Sequence, residues 1–178
     1  MGYAGGLTPN PDYGHIGDHT EAVQIDYDPE RISYADLLET FWNSHDPTGG
    51  QGSRQYMRAV FYHDERQRAL ALASLSTVQE QTHGPVSTRV VPLRSFTAAE
   101  DYHQKYMLKG DAELVREMVR IFPGKQDFVD STAAARLNGY AGGYGTLEQL
   151  DKEIHRMGLS PRGRMRLDNL VRGRARFN

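Results

Sequence analysis

The sequence predicts an α+β fold, a two-layer α/β sandwich that gives way to a helical extension. Three observations carry this reading. Short runs rich in β-branched and aromatic residues alternate with longer segments of helical periodicity as far as residue 108. From residue 109 onward only helical periodicity remains. Glycine- and proline-rich stretches such as HDPTGGQG and HGP punctuate the alternation. The expected division is a mixed domain over 1–108 and a helical module with an arginine-rich tail over 109–178.

The elements follow in chain order. The opening MGYAGGLTPNPDYGHIGDHTE has the composition of a functional loop. TEAVQIDYD, residues 20–28, sets Val23, Ile25 and Tyr27 against polar neighbours and predicts a half-buried strand that Asp28-Pro29 ends. Ser33 stands three residues before Asp36 as in a capping box, and Leu37, Leu38, Phe41 and Trp42 share one face, so 34–44 is expected to be a core-packed helix. MRAVFYH predicts a strand over 57–63, and ERQRALALASLSTVQEQ a helix over 65–81. STRVVPL reads as a short strand whose Pro92 marks an edge or an end. Thr97 with Glu100 resembles another capping box and predicts a helix over TAAEDYHQKYM.

In the helical module Leu114, Val115, Met118, Val119 and Phe122 form one stripe, Phe128 to Leu137 a second, and Leu147, Leu150, Ile154 and Met157 a third. Ser160-Pro161 supplies an N-cap and a first helical residue for the last helix. GYAGG occurs at 2–6 and again at 139–143, but the flanking residues do not match, so no repeat is read. The second copy is expected to break one helix before the next.

Composition narrows the function classes. The 178 residues (20.1 kDa) are 38% hydrophobic and 25% charged, enough for one respectable core. No apolar run approaches the roughly 20 residues that cross a bilayer, and no secretory leader is visible, so the expected location is cytoplasmic. The chain has no cysteine, hence no disulfide, thiolate ligand or thiol nucleophile of its own. A formal charge of -2 argues against general nucleic-acid affinity. The tail nevertheless gathers Arg162, Arg164, Arg166, Arg172, Arg174 and Arg176 against Asp168, which reads as solvated helix surface or, alternatively, as a phosphate-contacting strip. His15, Asp18, His19 and Glu21 are metal-ligating residue types, but their spacing matches no zinc motif, and no metal is expected. A histidine beside Glu21 could instead tune its protonation.

The pieces GYAGG-x-TPNP-x-Y, HTEAV, YDP, ISY-x-x-LL, FW-x-x-HDP, QY-x-x-A and F-x-x-AEDYHQKY, in that order over residues 2–106, resemble class A methionine sulfoxide reductases. The resemblance implies a ferredoxin-like plait and reduction of methionine-(S)-sulfoxide, free or in peptides, by a thiol-dependent mechanism. In that family a cysteine in a GCFW motif attacks the sulfoxide sulfur, becomes a sulfenic acid, and is returned to thiol by a second thiol. That motif, with its strand, its helix and the Phe-Trp pair that cups the substrate methyl, precedes GYAGG in the family and has no counterpart in this chain. The expectation is therefore a plait lacking its first strand and helix, whose nucleophile, cysteine or selenocysteine, lies upstream of Met1. If Met1 is the native start, the expectation becomes a pseudoenzyme that binds a sulfoxide or thioether, and a structural or nucleic-acid-associated role through the tail comes last.

Residue by residue, the resemblance carries over to Glu21 as proton donor to the sulfoxide oxygen and to Tyr13 and Tyr56 as its hydrogen-bond partners. On the residues alone, Tyr13 is a loop anchor, Glu21 a strand-end acid and Tyr56 a core tyrosine. The family's further site aspartate aligns near Gln51, and no resolving cysteine is present in the shortened loop GHIGDHTE or at the C-terminus. No bound cofactor is implied; an external reductant, thioredoxin or a small thiol, is.

Overall fold

The computed structural model describes residues 1–50 and 52–175, and these form an α+β arrangement with a helical C-terminal region. Two compact units divide the chain, Met1–Glu100 and Asp101–Asn178.

In the first unit, β1 (Gly2–Ala4) is the central strand of an antiparallel sheet, flanked by β2 (Thr20–Ala22) and β5 (Phe96–Ala98). This corrects the reading of the opening residues as loop: all three residues of β1 are buried, and their glycine content has a steric reason. A Cβ on Gly2 would lie 2.5 Å from the Thr97 carbonyl oxygen of the neighbouring strand, so only glycine lets the two backbones pair this closely. A second sheet pairs β3 (Ala59–Tyr62) with β4 (Arg89–Pro92) in parallel, joined through helix α2 (Glu65–Gln81) as parallel strands require. Pro92 is the last residue of β4, where its missing N–H breaks no ladder. Hydrogen bonds from Leu93 N to the Tyr62 carbonyl (2.9 Å) and from Gly5 N to the Ser95 carbonyl (3.0 Å) tie the two sheets through one short connection.

Helix α1 (Tyr34–Asn43) starts at the expected capping box: Ser33 accepts from Asp36 N, and the Asp36 carboxylate accepts from Ser33 N. Asp64 caps α2 by accepting from Gln67 N at 2.7 Å. Leu38, Trp42, Val60 and Ala71 form the fully buried core between these elements, with Phe41, Leu75, Val78 and Val90 against it. Trp42 Nε1 donates to Ser74 Oγ at 3.0 Å, satisfying its one polar atom.

Two expected elements differ. The strand predicted over 20–28 is hydrogen-bonded only at Thr20–Ala22; beyond it Val23 and Ile25 are 69% and 57% exposed and no neighbouring strand pairs with them. The helix expected from Thr97 is replaced by β5, a 3-10 turn at Asp101–His103 and α3 (Tyr106–Lys109). Thr97 pairs with Tyr3 in the sheet, and Glu100 accepts from Tyr3 rather than closing a capping box.

The second unit is helical: α4 (Ala112–Ile121), α5 (Lys125–Asp130), α6 (Thr132–Ala141), α7 (Leu147–Glu153) and α8 (Pro161–Ala175) follow α3. The stripe read from Phe128 to Leu137 is two helices, because Ser131 turns extended and caps α6 by accepting from Ala134 N. The second GYAGG closes α6: Gly143, at φ +89, takes the left-handed position that follows a helix C-terminus. A continuous core of Leu108, Leu114, Met118, Leu137, Leu150 and Leu167, each 0% exposed, runs through the unit.

Candidate functional site

Three segments of the first unit build the site. The edge strand β2 places Glu21 opposite Tyr3 in the ladder, with the Glu21 side chain half-buried. The 3-10 turn Arg54–Tyr56 is fastened to that strand: Thr20 Oγ1 donates to the Arg54 carbonyl and Arg54 Nε donates to the Asp18 carbonyl, both at 2.9 Å. This fastening delivers Gln55, whose Nε2 donates to Glu21 Oε1 at 2.7 Å and to the Tyr56 hydroxyl at 3.2 Å. The third segment, the loop between β1 and β2, brings Tyr13 into a side-chain hydrogen bond with Tyr56.

The structure thus gathers all three residues singled out from the sequence. Lost hydration pushes the Tyr56 phenol above its ordinary range, and the charges of Glu21 and Tyr13 and the bond to Tyr13 push it further. Tyr56 is 58% exposed and Tyr13 48%, so solvent damps these effects.

Because Tyr13 is so exposed, packing cannot hold it; its loop is held by polar contacts instead. Both oxygens of Asp18 accept from Leu7 N at 2.9 Å, and Oδ1 also accepts from Thr8 N (2.9 Å) and Thr8 Oγ1 (2.7 Å). These bonds, the Thr8 backbone N–H foremost, hold the Asp18 carboxyl well below the usual carboxylate range. His19, 2% exposed, accepts from Gly6 N through Nδ1 at 3.3 Å, which places its proton on Nε2 for donation to the Thr8 carbonyl at 2.8 Å. Both ring nitrogens are engaged by the loop backbone rather than by Glu21. Glu100 completes the fastening: Oε1 accepts from Tyr13 N at 2.9 Å, and Oε2 from the hydroxyl of the buried Tyr3 at 2.6 Å.

Behind Glu21 opens a cleft of about 540 Å³, lined by apolar side chains including Met57, Val60, Phe61 and Phe96. Glu21 therefore lines an apolar recess and is linked through Gln55 to the Tyr56 hydroxyl. Such a place suits a group with one polar oxygen and an apolar body.

Among the described residues no three His, Asp or Glu side chains converge as a metal would need. His15 bonds Asp12, while Asp18 and His19 serve the loop as above. Gln51 and Arg176 lie outside the described residues. Of the tail arginines, Arg162 pairs with Glu113 (2.6 Å), Arg166 with Asp111 (2.8 Å) and Arg172 with Asp168 (2.7 Å), and Arg174 donates to the Tyr140 and Ala141 carbonyls. Arg162, Arg166 and Arg174, together with a bond from Arg172 to Asp151 at 3.2 Å, fasten α8 to its own unit. No described helix is long and apolar enough to cross a membrane.

Reasoning from sequence did not single out Gln55, Glu100 or the loop-holding roles of Asp18 and His19. Gln55 and Glu100 stand inside the quoted QY and AEDYHQKY pieces, so their neighbourhood was marked while their bonding was not.

The family model described as peptide methionine sulfoxide reductase matches residues 1–137. A second, described as the helical domain of selenoprotein methionine sulfoxide reductase A, matches residues 125–163. A Drosophila melanogaster peptide methionine sulfoxide reductase is 40% identical over 163 residues, which are 90% of this chain and 65% of that protein. Peptide methionine sulfoxide reductase A5 of Oryza sativa is 39% identical, with 79% of this chain and 57% of the relative covered. For MsrA of Salinispora arenicola the identity is 44%, over 60% of this chain and 54% of the relative. The chain thus spans less than two thirds of the length of these relatives. With most of its residues matched by the family model, the chain belongs to the peptide methionine sulfoxide reductase family.

Proposed function

We propose that Glu21, Tyr13 and Tyr56 form the oxygen-binding side of a methionine sulfoxide reductase site, and that the substrate is methionine-(S)-sulfoxide, free or in a peptide. The observation that carries this reading is the convergence of the three side chains from three separate segments, Gln55 bonding both Glu21 and Tyr56 and Tyr56 bonding Tyr13. When a sulfur nucleophile attacks the sulfoxide sulfur, the oxygen gains negative charge. Two phenol donors stabilise that charge and Glu21 supplies the proton. The sulfur–oxygen bond breaks as methionine leaves, the oxygen passing to the nucleophile as a sulfenic acid. A second thiol displaces that oxygen as water and forms a disulfide, so two thiols are oxidised for each sulfoxide reduced.

No cysteine occurs in these 178 residues, so the nucleophile in this reading is a cysteine or selenocysteine outside them. The helical-domain match to selenoprotein reductases supports the selenocysteine form. The recycling thiol likewise comes from elsewhere, from thioredoxin or a small thiol. The same lack of cysteine favours a second reading, in which the pocket binds a sulfoxide without reducing it.

Two measurements test these readings. Titrating the 178-residue chain with methionine-(S)-sulfoxide and following backbone amide shifts should move residues near Tyr13, Glu21 and Tyr56; shifts elsewhere only would remove the site assignment. Protein purified from its own cells should then reduce the sulfoxide with dithiothreitol and lose that activity on alkylation. Binding without turnover would select the second reading.

A further inference from the structure

We infer that Glu100 is a positioning residue for the sulfoxide-oxygen site, fixing the Tyr13 phenol through the Tyr13 backbone. This inference rests on the site reading above and goes beyond the three residues that touch the oxygen. Tyr13 is 48% exposed, so its ring has little packing to define its place. Its main chain is fixed instead, because Tyr13 N donates to Glu100 Oε1 at 2.9 Å. The other oxygen of the same carboxylate accepts from the hydroxyl of Tyr3 at 2.6 Å. Tyr3 is 1% exposed and sits at the middle of β1, the central strand, where it pairs with both Glu21 and Thr97.

One carboxylate therefore connects the buried middle of the central strand to the loop that carries Tyr13, across 97 and 87 residues of sequence. Glu21 is the direct ladder neighbour of Tyr3, so the same strand position registers both the acid and, through Glu100, the phenol. Asp18 and His19 hold the loop at Gly6–Thr8, several residues before the point where Glu100 bonds the Tyr13 backbone. A carboxylate is suited to the task because it offers two acceptor oxygens to two donors at once, which an amide cannot match.

The test uses the whole 178-residue chain and its Glu100→Ala and Glu100→Gln variants, with retained fold checked by circular dichroism. Ring-to-ring nuclear Overhauser contacts between Tyr13 and Tyr56 should be present in the wild type, absent in Glu100→Ala and weakened in Glu100→Gln. Unchanged contacts in a folded Glu100→Ala protein would overturn the inference, whatever the chain binds. If the variants unfold, Tyr3→Phe removes the donor that anchors Glu100 to the sheet while leaving the loop bond, and should weaken the contacts; contacts of wild-type strength there would overturn the inference equally. Affinity for methionine-(S)-sulfoxide should fall about tenfold in Glu100→Ala, as expected for loss of one well-placed hydrogen bond. In a Tyr13→Phe background the same substitution should change affinity less than twofold, because the hydroxyl that it positions is already gone. An equal loss in both backgrounds would mean that Glu100 acts only on general structure. If the contacts respond as expected and the wild type binds no sulfoxide, the positioning role stands and the site reading fails.

Discussion

The two units of this chain are held together by different means. The helical unit, Asp101–Asn178, packs twelve buried side chains among the described residues into one core, and aspartate, serine and threonine cap α4, α6 and α7. The sheet-bearing unit, Met1–Glu100, has a buried cluster of four around an apolar cleft of about 540 Å³. Its site loop depends on the Asp18 carboxylate and the buried His19 imidazole within the loop, and on Glu100 from far along the chain. The difference bears on where the proposed site lies. A close-packed interior leaves no room for a ligand, whereas polar fastenings hold exposed side chains in place around an open recess.

The largest expected effect sets the two cores directly against each other. Leu137, 0% exposed in the helical core, should cost about 4 kcal/mol on truncation to alanine, because its surroundings cannot collapse. Leu38, 4% exposed but lining the cleft, should cost about 2 kcal/mol, since part of its environment is already empty. Denaturant unfolding, followed by a probe in each unit, measures both. A larger loss at Leu38 would break the comparison.

The caps come next. Ser131, 7% exposed and accepting from Ala134 N at 3.1 Å, should contribute about 1 kcal/mol to the helical unit, read as the stability lost in Ser131→Ala. Fastenings in the other unit should show their effect locally rather than globally. Asp18→Ala should raise hydrogen exchange at Leu7 and Thr8 while leaving the amides of α6 unchanged.

The pH dependence sharpens the same contrast. Since Asp18 titrates below an unfolded aspartate, its contribution is present above the unfolded value and is lost only as pH falls through the lower folded one. The amide shifts of Leu7 and Thr8 should therefore persist through the ordinary carboxylate range, and a transition at the usual aspartate value would contradict the clamp. Tyr56 should titrate above an ordinary tyrosine. Glu21→Gln should bring it only part of the way back, because burial is the leading cause and the Glu21 charge the second.

Local signals were legible in the sequence where local physics decides. The helix over 65–81 and the capping box at Ser33 both read correctly, because caps and periodicity act within a few residues. Strand pairing acts at a distance, which is why the reading overran at Val23–Asp28: the alternation is present, but no partner strand continues beside it. GYAGG misled for the same reason, since the Thr97 carbonyl that makes glycine necessary at position 2 lies far along the chain. Glu100 shows the limit for the site. Its spacing from Thr97 imitates a local cap, whereas its partners are Tyr3 and Tyr13. Tyr13, Glu21 and Tyr56 stood out only through family resemblance; taken singly, each is an ordinary loop or strand residue.

The most direct test of the central claim, that these three side chains recognise a sulfoxide oxygen, is calorimetric titration with methionine-(S)-sulfoxide and, separately, with methionine. The two ligands differ by the oxygen alone. The account predicts at least tenfold preference for the sulfoxide, abolished when Tyr13 and Tyr56 are both changed to phenylalanine. Equal affinity for the two ligands in the unaltered chain would contradict it.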